Sequence, residues 1–186
     1  PKQFVHTLGE GTLIQNTVSR LLPFLDLQDI HVVTTADLAH HVSNQLAMIP
    51  DANILKEPFG RNTAPSIALS ATLLRHRYSD DTVMVVLPSD HLVSNVREFH
   101  VTLDRAVSAA AATGRIVTIG VMPTRPETGY GYIQVGEEIP TDNPVLKGVL
   151  RSVSTFAEKP DTATAQRFLD AGDFIWNSGI VVGTIG

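Results

Sequence analysis

The sequence contains no cysteine, which excludes disulfides and thiolate metal sites outright. It also lacks a basic excess: 14 Lys and Arg against 19 Asp and Glu give a formal net charge of -5. General nucleic-acid and anionic-membrane binders need a basic face, so both partner classes are excluded, whereas a nucleotide needs only a few local donors. No apolar run approaches the roughly 18 residues that suggest a membrane span. No charged-then-apolar signal segment opens the chain. A soluble cytoplasmic protein is therefore expected. Glycine-rich loops, internal repeats, low-complexity tracts and a defensible Ser-His-Asp spacing are missing too. The 7 histidines form no metal-binding pattern. His40 and His41 are adjacent and should point to different sides of a helix, and His76 lies in the basic stretch Arg75-His76-Arg77, read as a solvated face.

What is present is one domain's worth of chain, 186 residues with 43% apolar content, enough for a substantial core. Ile30 to Thr34, Val83 to Leu87 and Ile116 to Val121 are short runs rich in β-branched residues, as expected of buried strands. Helical patterns alternate with them. Thr12 and Gln15 form a capping box ahead of Ile14, Val18, Leu21, Leu22 and Leu25, with Pro23 set to kink or end that helix. A second helix is predicted over Asp37 to Met48. A third starts near Asn62, with Ile67, Ala71, Leu74 and Tyr78 on one face. A fourth starts at Asn95 and repeats Val96, Phe99, Leu103, Val107 and Ala110. The fifth covers Thr162 to Ala171, with Gly172 as its left-handed stop. Strand-helix alternation predicts an α/β fold with a mainly parallel sheet and helices on both faces. Tyr130 to Val135 and Val149 to Phe156 read as strands with no long helix between them, so a mixed section is expected after about residue 122. Pro140 to Pro144 is a surface loop.

Several motifs could carry chemistry. Asp90 follows the strand Val83 to Leu87, and ligands of open parallel sheets collect at the carboxyl ends of strands. A carboxylate there can hold Mg²⁺ against nucleotide phosphates, although Ser89-Asp90 also reads as an ordinary turn. Arg61-Asn62-Thr63 stand where a loop enters a helix, a place suited to phosphate or polar base edges and equally to a routine N-cap. Glu127-Thr128-Gly129-Tyr130-Gly131-Tyr132 could let a ligand approach the backbone and hydrogen-bond sugar hydroxyls, or could be a tight turn into a strand. Glu158-Lys159-Pro160 suits a sugar phosphate but is also common as solvated surface. Asn177 is the ligand contact expected beside Trp176, the single tryptophan and an expected core anchor.

These phrases, with Pro1-Lys2-Gln3-Phe4, Glu57 to Pro65 and Trp176 to Gly179, stand in an order that resembles the sugar-phosphate nucleotidyltransferases. Glu57 to Pro65 and Thr124 to Ile133 look like the mannose-1-phosphate guanylyltransferase branch of that family. The resemblance implies a Rossmann-like nucleotide-diphospho-sugar transferase fold. It implies transfer of GMP from GTP to mannose 1-phosphate, giving GDP-mannose and pyrophosphate with Mg²⁺ as cofactor. Other sugar-1-phosphate nucleotidyltransferases, or a non-catalytic module binding nucleotide or sugar phosphate, stay open as alternatives, as does a homodimer. By the same resemblance Lys2, Arg61, Asn62, Thr63, Ser89 and Asp90 form the nucleotide side, with Asp90 the metal ligand. Thr128, Gly129, Glu158, Lys159 and Asn177 form the sugar-phosphate side, and Lys2, Asp90 and Lys159 carry catalysis. The family's glycine-rich opening loop and a second metal-binding aspartate downstream are not in these 186 residues, so 1-186 is expected to be a single catalytic core without its two ends.

Overall fold

The computed structural model describes residues 1-6, 11-60 and 62-186. They form two compact units: Pro1–Thr82 with Pro88–Arg97 and Ile185–Gly186, and Val83–Leu87 with Glu98–Thr184.

In the first unit, strands β1 (Val32–Thr35) and β2 (Ile54–Glu57) form a parallel ladder in which Val32 faces Ile54 and Thr35 faces Glu57. Helix α2 (Ala39–Gln45) packs on both strands, and α3 (Thr63–Leu74) packs on β2. Val42, Leu46, Ile14, Val18, Ile49 and Ile54 are among its buried apolar side chains. The predicted capping box opens α1 (Leu13–Ser19): the Thr12 N–H donates to Gln15 Oε1 over 2.9 Å. Buried Asn53 ties the strands' approaches together. Its amide donates to the Gln28 and Ile30 carbonyls at 2.7 and 3.1 Å, and its oxygen accepts from Arg77 at 2.9 Å. Arg75 forks onto Asp80 with two bonds of 2.8 Å. The stretch Arg75-His76-Arg77 is therefore a pair of clips as much as a solvated face.

In the second unit, β7 (Phe174–Thr184) is the spine. It pairs antiparallel with β3 (Val83–Val86), β4 (Val117–Val121) and β5 (Tyr132–Glu138), and β6 (Arg151–Ala157) pairs antiparallel with β5. Val181 faces both Val86 and Thr118, and Trp176 faces both Val121 and Tyr132. Strands β3 and β5 therefore share one edge of β7, and β4 lines the other. Helix α4 (Val96–Thr113) lays Ala106 and Ala110 on Ile180 and Val182, with Val83, Val85, Phe99, Val107 and Ile119 packed around them. Helix α5 (Thr162–Ala171) is capped by Asp161, which accepts the Thr164 N–H at 2.7 Å, and stops at Gly172 with φ 76°. Buried Ala165 packs it onto Tyr132 and Trp176.

The α/β alternation holds, and the mixed section after residue 122 is present as the β5–β6 hairpin. The expectation of a mainly parallel sheet is corrected. Only β1 and β2 form a parallel ladder among the described residues. Strands β3, β4 and β5 do run in one direction, because each is antiparallel to β7; the late strand β7 is inserted among them and replaces parallel pairing. The two-histidine expectation is also corrected. Successive helical positions diverge by about 100°, yet the His40 and His41 rings swing together to 3.9 Å between centroids, with Phe4 at 5.1 Å from His41. No helix among the described residues is long and apolar enough to cross a membrane.

Candidate active site

Lys2 belongs to a short 3₁₀ turn, Lys2–Phe4. The turn is anchored from α2, where Gln45 donates to the Phe4 carbonyl at 3.1 Å and itself accepts the Thr12 hydroxyl at 2.7 Å. The exposed Lys2 ammonium forms an ion pair with Oδ2 of Asp90. Ser89 and Asp90 lie beyond β3 and are half-buried. The loop behind them is clamped by Arg20, whose guanidinium donates to the His91 carbonyl at 3.2 Å and to Thr17 Oγ1 at 2.7 Å. Burial pushes the His91 imidazole below its ordinary pKa, while the adjacent Asp90 charge pulls the other way. Arg20 escaped sequence reading; its only signal is Thr17 standing three residues before it on the same helical face.

Asn62 is the N-cap of α3, in a backbone region (φ 67°, ψ -175°) that favours glycine. Thr63 opens the helix and is exposed. Ser66 pins this turn to β2, with its hydroxyl within 2.7 Å of Glu57 Oε2 and 3.1 Å of the Asn62 carbonyl. The first N–H groups of α3 thus follow directly on Asn62, which is the geometry that receives anions or polar edges. Arg61 lies outside the described residues.

The sugar-side candidates all fall in the second unit. Gly131 is their centre. A Cβ added there would stand 3.1 Å from Glu158 Oε2 and 3.6 Å from the Asn177 Cβ, so these three positions share one small space. The Asn177 N–H donates to the Gly131 carbonyl at 2.8 Å, and its side-chain oxygen accepts the Gly179 N–H at 3.0 Å. Lys159 pairs with Glu158 at 3.3 Å, both exposed, and holds a left-handed φ of 40°. Thr128 and Gly129 are exposed on the loop before β5. That loop closes on itself. The Gly129 N–H donates to Glu127 Oε1 at 3.0 Å, and Arg125 donates to Glu127 Oε2 at 3.2 and 2.9 Å. These donors, Gly129 first, hold the Glu127 carboxyl below the ordinary carboxylate range. The hydroxyl of Tyr132, a fully buried residue, accepts the Glu127 N–H at 3.0 Å and donates to its carbonyl at 2.9 Å. Trp176 is the expected core anchor, with the Arg125 guanidinium 5.5 Å over its ring and Tyr130 edge-on at 5.3 Å.

The structure therefore brings Lys2 and Asp90 together in the first unit, with the start of α3 as a further element of that unit, and gathers a carboxylate, an ammonium and an amide about Gly131 in the second. The nucleotidyl transferase family model matches residues 1–185. The chain belongs to the nucleotidyl transferase family. Among curated relatives, it is 38% identical over 187 residues to a mannose-1-phosphate guanylyltransferase of Escherichia coli and 40% identical over 182 residues to one of Klebsiella pneumoniae. It is 42% identical over 185 residues to the alginate biosynthesis protein AlgA of Pseudomonas syringae. Each match covers 97% of this chain but only 36–38% of the relative, so the chain spans under two fifths of their length. A crystal structure of a mannose-1-phosphate geranyltransferase from Thermus thermophilus superposes with a TM-score of 0.86 at 28% identity, covering 100% of this chain and 51% of that one. A mannose-6-phosphate isomerase structure from Helicobacter pylori gives a TM-score of 0.80 at 26% identity, covering 100% and 66%. The nucleotidyl transferase fold is thus matched along the whole chain, which bears out the Rossmann-like expectation.

Proposed function

We propose that this nucleotidyl transferase makes GDP-mannose: a phosphate oxygen of mannose 1-phosphate attacks the α-phosphorus of GTP, and pyrophosphate leaves. The observation that carries this reading is the pairing of the family match with two separate charge-bearing groups, one around Asp90 and Lys2, the other around Glu158, Lys159 and Asn177. The first group, with Ser89 and the start of α3 at Asn62 and Thr63, takes GTP; the second, with Thr128 and Gly129, takes the sugar phosphate. No covalent nucleophile is needed, because alignment and charge neutralisation carry such transfers. Lys2 and Lys159 supply positive charge to the phosphates, and Glu158 and Asn177 orient hydroxyls.

Asp90 would hold Mg²⁺. It offers a hard carboxylate oxygen that is already facing a cation, the Lys2 ammonium. Among the described residues no three His, Asp or Glu side chains are placed to hold a metal ion. The remaining ligands of such an ion would come from substrate phosphates and water. When bound, it would neutralise charge on the triphosphate. A cytoplasmic setting suits these substrates. Replacing Asp90 with Ala tests the nucleotide side: turnover should be abolished with folding intact, since the residue lies beyond a strand end. Near-normal kcat in that variant would remove the assignment.

A further inference from the structure

Within the Thr124 to Tyr132 motif one residue has contacts that substrate binding alone does not explain. Both carboxylate oxygens of Glu127 are already engaged within its own loop, Oε1 by the Gly129 N–H at 3.0 Å and Oε2 by Arg125 at 3.2 and 2.9 Å. Its backbone is engaged too, at both N–H and C=O, by the hydroxyl of wholly buried Tyr132. A side chain so occupied is poorly placed to take a sugar hydroxyl. It is well placed to fix the two exposed residues that follow it, Thr128 and Gly129.

We infer that Glu127 is a positioning residue: its carboxylate, held between the Arg125 guanidinium and the Gly129 N–H, sets the Thr128-Gly129 backbone in the shape that receives the sugar 1-phosphate. This rests on the sugar-phosphate reading of Thr128 and Gly129 given above. The linkage runs further through Arg125, which lies over the Trp176 ring, to Asn177 next along β7. A glycine in the loop would otherwise sample many conformations, and each competent-state fraction lost raises the apparent Kd in proportion. Holding the loop beforehand therefore favours sugar-phosphate binding without any direct contact from Glu127.

The test uses Glu127→Ala and Glu127→Gln, with steady-state kinetics for each substrate and titration of mannose 1-phosphate against the fluorescence of Trp176, the one tryptophan of these 186 residues. Glu127→Ala should raise KM for mannose 1-phosphate about tenfold and leave KM for GTP within about twofold. Glu127→Gln keeps an acceptor for the Gly129 N–H and should recover part of that loss, to about threefold. Ligand-free Trp176 emission should shift in Glu127→Ala, since Arg125 loses its carboxylate partner. Unchanged mannose 1-phosphate affinity in both variants overturns the inference. Equal rises in both KM values do so as well, because they mark general loss of structure. If the wild-type protein fails to bind mannose 1-phosphate at all, the sugar-phosphate reading falls, and this inference falls with it; that result is seen before any variant is made.

Discussion

Two non-glycine residues among those described hold positive φ, Asn62 at 67° and Lys159 at 40°, and each belongs to one of the two chemical groups. Strain of that kind persists only where the surroundings impose it. At Asn62 the imposed geometry (ψ -175°) starts α3 outside the left-handed helical well that Asn favours, and only glycine takes it without strain. Asn62 makes no side-chain cap bond to α3, so Asn62→Gly should stabilise the protein by about 1 kcal/mol in urea unfolding, whereas Asn62→Ala, which keeps the strained Cβ, should change it by less than about 0.5 kcal/mol. If the Asn62 side chain serves GTP, both variants should raise KM for GTP alike, and a change seen only in Ala would assign the residue to folding alone. Lys159 separates in the same way. Its ion pair with Glu158 is exposed and worth little by itself. Lys159→Ala should nevertheless cut kcat/KM for mannose 1-phosphate by about one to two decades, the worth of a charge-assisted phosphate contact, while KM for GTP stays near wild type. A loss below twofold would leave Lys159 a solvated surface residue.

Glycine spacing dominates at the level of elements. Strands β4 and β7 approach so closely at Gly120 that an added Cβ would stand 1.9 Å from the Ile175 Cδ1 and 2.7 Å from its Cγ1. Gly120→Ala must displace Ile175 and should cost about 1–3 kcal/mol. Joined to Ile175→Ala it should cost less than the sum of the two single changes, a coupling visible in a double-mutant cycle. Additivity would mean that the strands simply separate. Elements with strong periodicity or caps were legible in the sequence: α5 between Asp161 and Gly172, α4 on its Leu103 and Ala110 face, and the strands at Val83 and Val117. The strand β2 was not, because Ile54 to Glu57 is four residues long and ends in a charged pair before Pro58. Most of β7 was missed for a different reason. Asn177 and Gly179 are residue types depleted in strands, and with Ser178 between them they break the apolar pattern of β7 in its middle. The sheet direction followed from that gap. The candidate site residues were legible as types and positions in motifs. Their supports were not, since Arg20, Gln45 and Tyr132 act through contacts distant in sequence or through a hydroxyl that spacing cannot reveal.

For the molecule as a whole, pH offers an independent check on the packing. His31 sits beside β1, with the Tyr78 ring edge-on at 5.9 Å and Tyr78 itself bonded to Asp29 at 2.9 Å. Burial, with a smaller contribution from Arg77, lowers its pKa from 6.5, against the pull of the Asp29 carbonyl and charge. The unfolded chain therefore takes up this proton first. Stability should be full above about pH 6.5, fall as pH drops toward the lower folded-state value, and level off below it. His31→Phe should shrink that fall in Tm between pH 7.5 and 5, and an unchanged slope would show His31 to be solvated. The chemistry of the molecule is reached most directly by following oxygen. Mannose 1-phosphate carrying ¹⁸O in its non-bridging phosphate positions, supplied with GTP and Mg²⁺, should yield GDP-mannose that retains all the label beside unlabelled pyrophosphate, since the sugar phosphate is the attacking group. Label in the pyrophosphate, or no GDP-mannose at all, would contradict direct displacement at the α-phosphorus of GTP.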